Sequence, residues 1–377
     1  MDGKSFRMTS IRFTDSLVFN LKMNVNRFRY LYRFLRSPRR FVSPESYFPE
    51  EELKSRHRIF FEQLGHILKY GEVNKYYFTY GLDRKVSKPG SYAPFSNYMY
   101  LKDRKNAEAG GLSFNFLCLL RDKLSFGAFC QGAGIPVPGH LAVIDSGQAQ
   151  LLGIRKTISV EKIIDYDIDG FCKPRYGQRG RDAFALRILQ GKAFINGQAV
   201  DVGRLVEILA AGEWIVQERL ATQHEVLSRL YPHAINTIRL VTVDTGKMIE
   251  TLGAALRVGT GGRRVDNWSA GGILIPLDLA TGKLMRYGYY NPAIGRKAAR
   301  HPDTDVTFED FQVPMVTEAV REALYLHKLM KGIHSIGWDI SITSNGPVFI
   351  EGNDQWHTAV SQIALGGMKT SFNRLFR

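Results

Sequence analysis

A chain of 377 residues with 44% hydrophobic side chains is too long for one ordinary domain and carries enough apolar material for two or three real cores. Its 51 Lys and Arg against 36 Asp and Glu leave a formal net charge of +15, which raises a nucleic-acid partner until the position of the charge is considered. Three cysteines with no CxxC pair, and no apolar run near the roughly 20 residues of a bilayer span, exclude a disulfide scaffold and a spanning helix; they point to a cytoplasmic setting with the thiols as small buried apolar groups.

In chain order, the charge comes first. Arg27, Arg29, Arg33, Arg36, Arg39 and Arg40 interleave with Phe28, Tyr30, Tyr32, Phe34 and Phe41. That mix suits peripheral contact of residues 1–44 with an anionic surface at the inner membrane face, or a basic helix that covers a catalytic domain and keeps one face solvated. A nucleic-acid partner is not expected. Residues 1–107 read as a basic, aromatic, helical region, with an apolar stripe at helical spacing between Glu50 and Tyr70. From Asn115 to Pro138 the pattern predicts one helix that carries Lys123 outward and stops at Gly132, Gly134, Pro136 and Pro138.

Beyond Pro138 the texture changes to short strands and glycine-rich turns. Strands are predicted between Gly170 and Glu218, with a hairpin turn at Asn196-Gly197, a helix Asp201–Ala211 and a strand at Trp214–Gln217. Further strands follow at Thr237–Val243, Met248–Arg257 and Gly272–Asp278, then a helix Asp310–Lys331 and a strand pair, Ser335–Thr343 and Pro347–Glu351. Strands gathered in sheets with helices at the side give an α+β class.

The last strand pair carries the strongest chemistry. A turn at Ser344-Asn345-Gly346 folds Glu351 back beside Asp339, and Asn353, two residues on, projects on the same face. Two carboxylates and an amide oxygen suit magnesium, which takes one or two protein carboxylates plus phosphate oxygens and water. Acidic residues of a hairpin can simply face water, but Asp339 lies within the apolar Trp338/Ile340/Ile342 strand. Upstream, Lys173 on a strand precedes Gly177 and Gly180, whose turn can fold backbone N–H groups over an anion; alone, that string is equally a plain hairpin turn. At Gln217-Glu218 a strand edge can hydrogen-bond an adenine, and Glu225 can accept from ribose hydroxyls, although exposed glutamates after strands are common.

Taken in order, Lys123 before Gly-Ile-Pro-Val-Pro, Lys173 with its glycine loop, the Gln217-Glu218 hinge and the Asp339…Glu351-x-Asn353 ending resemble the ATP-grasp superfamily. Gln217-Glu218-Arg219-Leu220, Asn236-Thr237-Ile238-Arg239, Asp266-Asn267-Trp268-Ser269-Ala270-Gly271-Gly272 and Gly337-Trp338-Asp339 look more narrowly like its sugar-transfer-associated family. The resemblance implies an ATP-grasp fold, two α+β lobes sandwiching ATP, over 108–377, with a lid lobe at about 151–216 and a metal-binding lobe at about 217–377.

It implies further that the chain is an ADP-forming ATP-grasp ligase. A carboxylate attacks the γ-phosphate of ATP, and an amine captures the acylphosphate. Lys123 and Lys173 would hold phosphates, the Gly177–Gly180 loop would close over them, and Asp339, Glu351 and Asn353 would hold Mg²⁺ or Mn²⁺. Arg239 or Arg257 would grip the acceptor or acylphosphate, Asn267 would touch metal-bound phosphate or substrate, and His357 is a candidate base. The expected substrates are an amino acid or other small amine and a carboxylate, including one linked to a surface-polysaccharide precursor. The helical front departs from the superfamily plan, so acceptor identity does not carry over. A phosphotransferase acting on a sugar or polyol hydroxyl is the alternative.

Overall fold

The computed structural model describes residues 3–108, 112, 116–176, 183–220, 222–263, 266–268 and 271–376, with side chains from Leu17 onward. The chain divides into two compact units. One comprises 1–101, 290–297 and 365–377; the other comprises 102–289 and 298–364.

The first unit is helical. Helix α1 spans Gly3–Arg36 and ends before Ser37-Pro38, α2 is the single turn Arg39–Val42, and α3 spans Arg56–Tyr70. The Ser55 side chain caps α3 by accepting from Arg58 N, and Gly71 ends it in the left-handed region at φ 71°. Phe34, fully buried, packs its ring on Phe41 and Phe60 at centroid distances of 5.5 and 4.9 Å and ties α1 to this bundle. Helix α4 spans Phe95–Ala107.

The second unit opens with α5 (Leu117–Arg121) and α6 (Lys123–Gly132). The single helix expected from Asn115 onward is therefore two, broken at Asp122, which is extended (φ −104°, ψ 110°) and caps α6 by accepting from Leu124 N. That break turns Lys123 inward, where it is buried rather than outward-facing. Cys130 and Cys172 are buried as expected, whereas Cys118 on α5 is exposed.

An eight-stranded antiparallel sheet follows. Its strands are β1 (His140–Asp145), β2 (Gln148–Leu151), β3 (Lys156–Ser159), β4 (Ile168–Pro174), β5 (Phe184–Leu189), β6 (Lys192–Ile195), β7 (Gln198–Val200) and β8 (Trp214–Glu218). The order β3-β2-β1-β8-β4-β5-β6-β7 places β8 at the centre, with Lys173 of β4 opposite Ile215. Helix α7 (Val202–Ala210) lays Leu205 and Leu209 against Ala142, Ile144, Cys172, Leu186 and Val216, all essentially inaccessible.

Helix α8 (Glu225–Leu230) leads to the second sheet: β9 (Thr237–Asp244), β10 (Ile249–Val258), β11 (Ile273–Leu277), β12 (Gly288–Tyr289), β13 (Lys297–Ala298), β14 (Ser335–Thr343) and β15 (Gly346–Asn353), in the order β13-β12-β11-β10-β9-β14-β15. Between β13 and β14 lies α9 (Val316–Leu329), shorter than the predicted helix because Pro314 precedes it and Val313 N donates instead to Gly282 O. Helices α10 (Thr358–Leu365) and α11 (Lys369–Phe376) end the chain. Strand β14 is buried along eight of its nine residues, so both faces are covered. One face presents Ile336, Trp338, Ile340 and Ile342; the other presents Gly337, Asp339 and Ser341.

Glycine at 337 is required by packing. A Cβ there would lie 2.4 Å from Trp356 Cβ, and Trp356 is itself 1% exposed. Gly337→Ala is expected to cost about 1–3 kcal/mol of stability in a urea melt, as overpacked cores do.

Candidate functional site

Four antiparallel strands bring the charged side chains together. Asp339 on β14 pairs in register with Arg239 on β9 and with Glu351 on β15, and Arg257 on β10 pairs with Thr237, two residues from Arg239. The Asp339–Glu351 pairing depends on a β-bulge. From the turn upward the hairpin runs in simple register as far as Ile340 opposite Phe349, and continuing it would set Ile350 against Asp339. The register shifts there instead, so Glu351 and then Asn353 fall on the face that carries Asp339.

Asp339, 2% exposed, accepts from Arg239 Nε at 2.5 Å and Nη2 at 2.9 Å, and Arg257 Nη2 lies 3.2 Å from its Oδ2. Burial opposes its charge, but the two guanidinium groups win and hold it ionised well below the usual carboxylate range. Glu351 moves the other way. Burial and the neighbouring Asp339 charge push its carboxyl up, against the opposing charges of Lys173 and Lys123. Asp266 closes the far side: it accepts from Thr237 N at 3.0 Å and from the Thr237 hydroxyl, and lies 3.5 Å from Arg257 Nε. Arg257 Nε and Nη2 also donate to Thr237 Oγ1 at 2.9 and 2.7 Å. Among the described residues, neither Arg239 nor Arg257 uses its Nη1.

Two lysines complete the centre. Lys173, 7% exposed, has its ammonium brought down to about 8 by burial, with the Lys123 charge adding to the effect and Glu351 and Asp339 opposing it. Lys123 is lowered by burial too, against Glu351 and Asp122. Its place at the first turn of α6 is fixed by Asp122, which takes a bidentate pair from Arg175 at 2.9 and 2.7 Å while capping the helix. A pocket of about 180 Å³ opens here, lined by Leu120, Arg121, Lys123, Tyr176, Glu351, Asn353 and Asp354. The chain beyond Asn353 is pinned in turn. Lys102 Nζ donates 2.6 Å to Asp354 O, Asn106 bridges that oxygen and the Ser335 backbone, and Arg121 holds the Asp354 carboxylate at 3.0 and 2.6 Å.

The other expected site residues are placed as follows. Gln217, 5% exposed, lies on the central strand between His140 and Phe171, and Glu218 is exposed with its N–H donating 2.7 Å to Gly139 O. Glu225 opens α8 behind the His224 cap. Asn267 is partly buried and its carbonyl accepts from Gly272 N, so it is Asp266 that the loop presents to Arg257. His357 is partly buried just ahead of α10, its carbonyl accepting from Val360 N. Gly177 and Gly180 lie outside the described residues. Sequence reasoning passed over Asp122, Arg175, Thr237 and Arg121; only Asp122, an N-cap residue ahead of a helical run, carries a local signal.

The donor set fits a hard divalent cation. Two carboxylates of like charge meet at Asp339 and Glu351, and Asn353 Nδ2 donates 3.2 Å to Glu351 Oε1, so a cation held here would offset their repulsion. Among the described residues no cluster of three or more His, Cys, Asp or Glu occurs, so such a cation would complete its shell with the amide, phosphate and water oxygens.

Two antiparallel sheets that contribute a buried lysine from one and paired carboxylates from the other define an ATP-grasp fold. The chain belongs to the sugar-transfer-associated ATP-grasp family, whose model matches residues 113–374. The superfamily is one of ATP-dependent ligases. A search of curated proteins finds no match. Among solved structures, the chain is similar to biotin carboxylase from Campylobacter jejuni (12% identity over 69% of this chain and 46% of that one, TM-score 0.41) and to D-alanine–D-alanine ligase from Bacillus anthracis (10%, 69% and 66%, TM-score 0.37). It is also similar to an N5-carboxyaminoimidazole ribonucleotide synthetase in its ADP complex (11%, 64% and 47%, TM-score 0.39). The chain thus spans less than two thirds of the length of these three solved chains.

Proposed function

We propose that the protein is a cytoplasmic ADP-forming carboxylate–amine ligase that joins an amino acid or other small amine to a carboxylated sugar during surface-polysaccharide synthesis. The observation that carries the reading is the anchoring of two guanidinium groups. Arg239 and Arg257 are each fixed through Nε and Nη2 on buried partners, and among the described residues each keeps Nη1 for an oxyanion. Beside them Lys123 and Lys173 supply the positive charge that a polyphosphate requires. A magnesium ion on Asp339, Glu351 and Asn353 would offset charge on the phosphates as the γ-phosphoryl moves. Gln217 and Glu218 are the assigned adenine contacts and Glu225 the ribose contact.

In the first step an acceptor carboxylate oxygen forms a bond to the γ-phosphorus, the bond to the bridging oxygen breaks, and ADP leaves. In the second, the amine nitrogen attacks the acyl carbon, phosphate leaves with the C–O electron pair, and the nitrogen gives up a proton. Arg239 and Arg257 orient the carboxylate and stabilise charge on the acylphosphate, and the two lysines hold the remaining phosphates. Panels of uronates and amines incubated with Mg-ATP are expected to give ADP and inorganic phosphate in equal amounts, and hydroxylamine in place of the amine should yield a hydroxamate. AMP would overturn the acylphosphate route. A phosphorylated product that resists hydroxylamine, formed without free phosphate, would favour transfer to a sugar hydroxyl.

A further inference from the structure

The first helix is amphipathic in an unusual sense, because its outward face is the apolar one. Phe34, buried at 0%, marks the face of α1 turned toward the helical bundle. On the opposite side Val18, Leu21, Val25, Phe28, Tyr32 and Leu35 recur at alternating spacings of three and four, and each is at least 58% exposed. At 3.6 residues per turn they cover an arc of about 100°. Lys22, Arg29, Arg33 and Arg36 border that arc along one side, and all four are exposed. Between Ser16 and Ser43 the sequence has seven Lys and Arg and no Asp or Glu, and among the described residues none of the seven pairs with a carboxylate. The bonds they do make, Arg27 to Asn24 Oδ1 and Arg36 to the Tyr32 hydroxyl, stay within the helix.

A basic helix that merely covers a catalytic domain would turn a wholly polar face to water, whereas this one exposes an apolar arc beside its basic border. Water alone therefore leaves the arrangement unaccounted for. We infer that the exposed face of α1 docks on an anionic lipid surface, with the apolar arc at the headgroup boundary and Lys22, Arg29, Arg33 and Arg36 on lipid phosphates. Charge complementarity selects this occupant. A second copy of the helix would satisfy the apolar seam but would bring basic side chains against basic ones with no carboxylate to separate them. An acidic polymer would pair with the arginines and leave six large apolar side chains in water. The inference goes beyond the ligase reading and is independent of it.

The test uses the full chain and sucrose-loaded vesicles. Sedimentation is expected with phosphatidylcholine containing one third phosphatidylglycerol and not with phosphatidylcholine alone, and it should weaken as salt rises. Leu21→Glu with Phe28→Glu, at positions 64% and 74% exposed, should lower the partition coefficient at least tenfold. Arg29→Gln with Arg33→Gln should lower it about 30-fold, from about 1 kcal/mol per basic residue at such a surface. Far-UV circular dichroism and the midpoint of a urea melt should stay unchanged in both variants, which shows that they are folded. Wild-type protein that stays in the supernatant would overturn the inference, as would a lipid-free dimer that the Leu21→Glu/Phe28→Glu variant dissolves. Binding to acidic polysaccharide that the arginine variant abolishes and the apolar variant leaves intact, without vesicle binding, would assign the face to a glycan instead.

Discussion

Replacing Asp339 with asparagine is expected to lower both the stability of the ligand-free protein and its activity, by about 3–5 kcal/mol and about 10²–10³-fold respectively. The stability loss comes from the guanidinium groups that the carboxylate neutralises. Arg239 and Arg257 would remain in a centre where the Asp339 side chain is 3% exposed, and an asparagine amide would turn its own donors toward theirs. Glu351 would ionise more readily once its neighbour is neutral, which holds the loss to the lower end of the range. Glu351→Gln is the informative companion. Burial and the Asp339 charge raise the Glu351 pKa, so its ionisation opposes folding, and that opposition fades as pH falls through the raised value. The glutamine variant should therefore be at least as stable as the wild type without ligand, yet lose activity to a similar degree. Urea melts in chelator and turnover in Mg-ATP separate the two effects. Equal destabilisation by both substitutions would show that the carboxylates are not opposed in the way the ion-pair geometry requires.

The contrast between these residues also shows what the sequence could reveal. The β14–β15 hairpin was legible because alternating apolar residues flank Asn345-Gly346, and its residues and direction match the structure. The bulge at Ile350 was not, since one extra residue leaves no mark on an apolar/polar pattern. Without it the hairpin's own turn would point Glu351 away from Asp339. The sequence predicts an outward Lys123, because Leu119-Leu120-Arg121-Asp122-Lys123-Leu124 runs on at helical spacing. The break at Asp122 is enforced by Arg175, 53 residues on, in a bidentate pair no local window contains. The start of α9 is hidden from the sequence for a similar reason. Backbone bonds from Leu284 N to Phe311 O and from Val313 N to Gly282 O hold 311–313 extended beside a distant turn, so the helix begins only after Pro314. Arg239 and Arg257 are legible only through the family resemblance, because alternation along one strand does not say which strand lies beside it; the registers of β9 with β10 and with β14 bring both to Asp339.

Affinity for Mg-ATP is expected to fall as pH rises through about 8, roughly tenfold per unit once Lys173 begins to lose its proton, because its ammonium sits at about 8 in the ligand-free protein. The charged groups it meets are Glu351, Lys123 and Asp339 on the site side and His140 across the sheet, and a triphosphate placed among them would draw the lysine back to the charged state. Binding above pH 8 should therefore take up a fraction of a proton, readable by calorimetry in two buffers of different ionisation enthalpy. Stability without ligand should run in the opposite sense. A lysine whose folded value lies below the unfolded 10.5 costs folding energy while it is charged in both states, and the cost is relieved as pH rises from about 8 toward 10.5. Lys173→Met should bind Mg-ATP at least tenfold more weakly at pH 7 and lose most of the pH dependence between 7 and 10, leaving only the smaller contribution of Lys123. If the methionine variant kept the full slope, the titrating group would be Lys123 at the α6 N-terminus and the phosphate contacts would have to be reassigned between the two lysines.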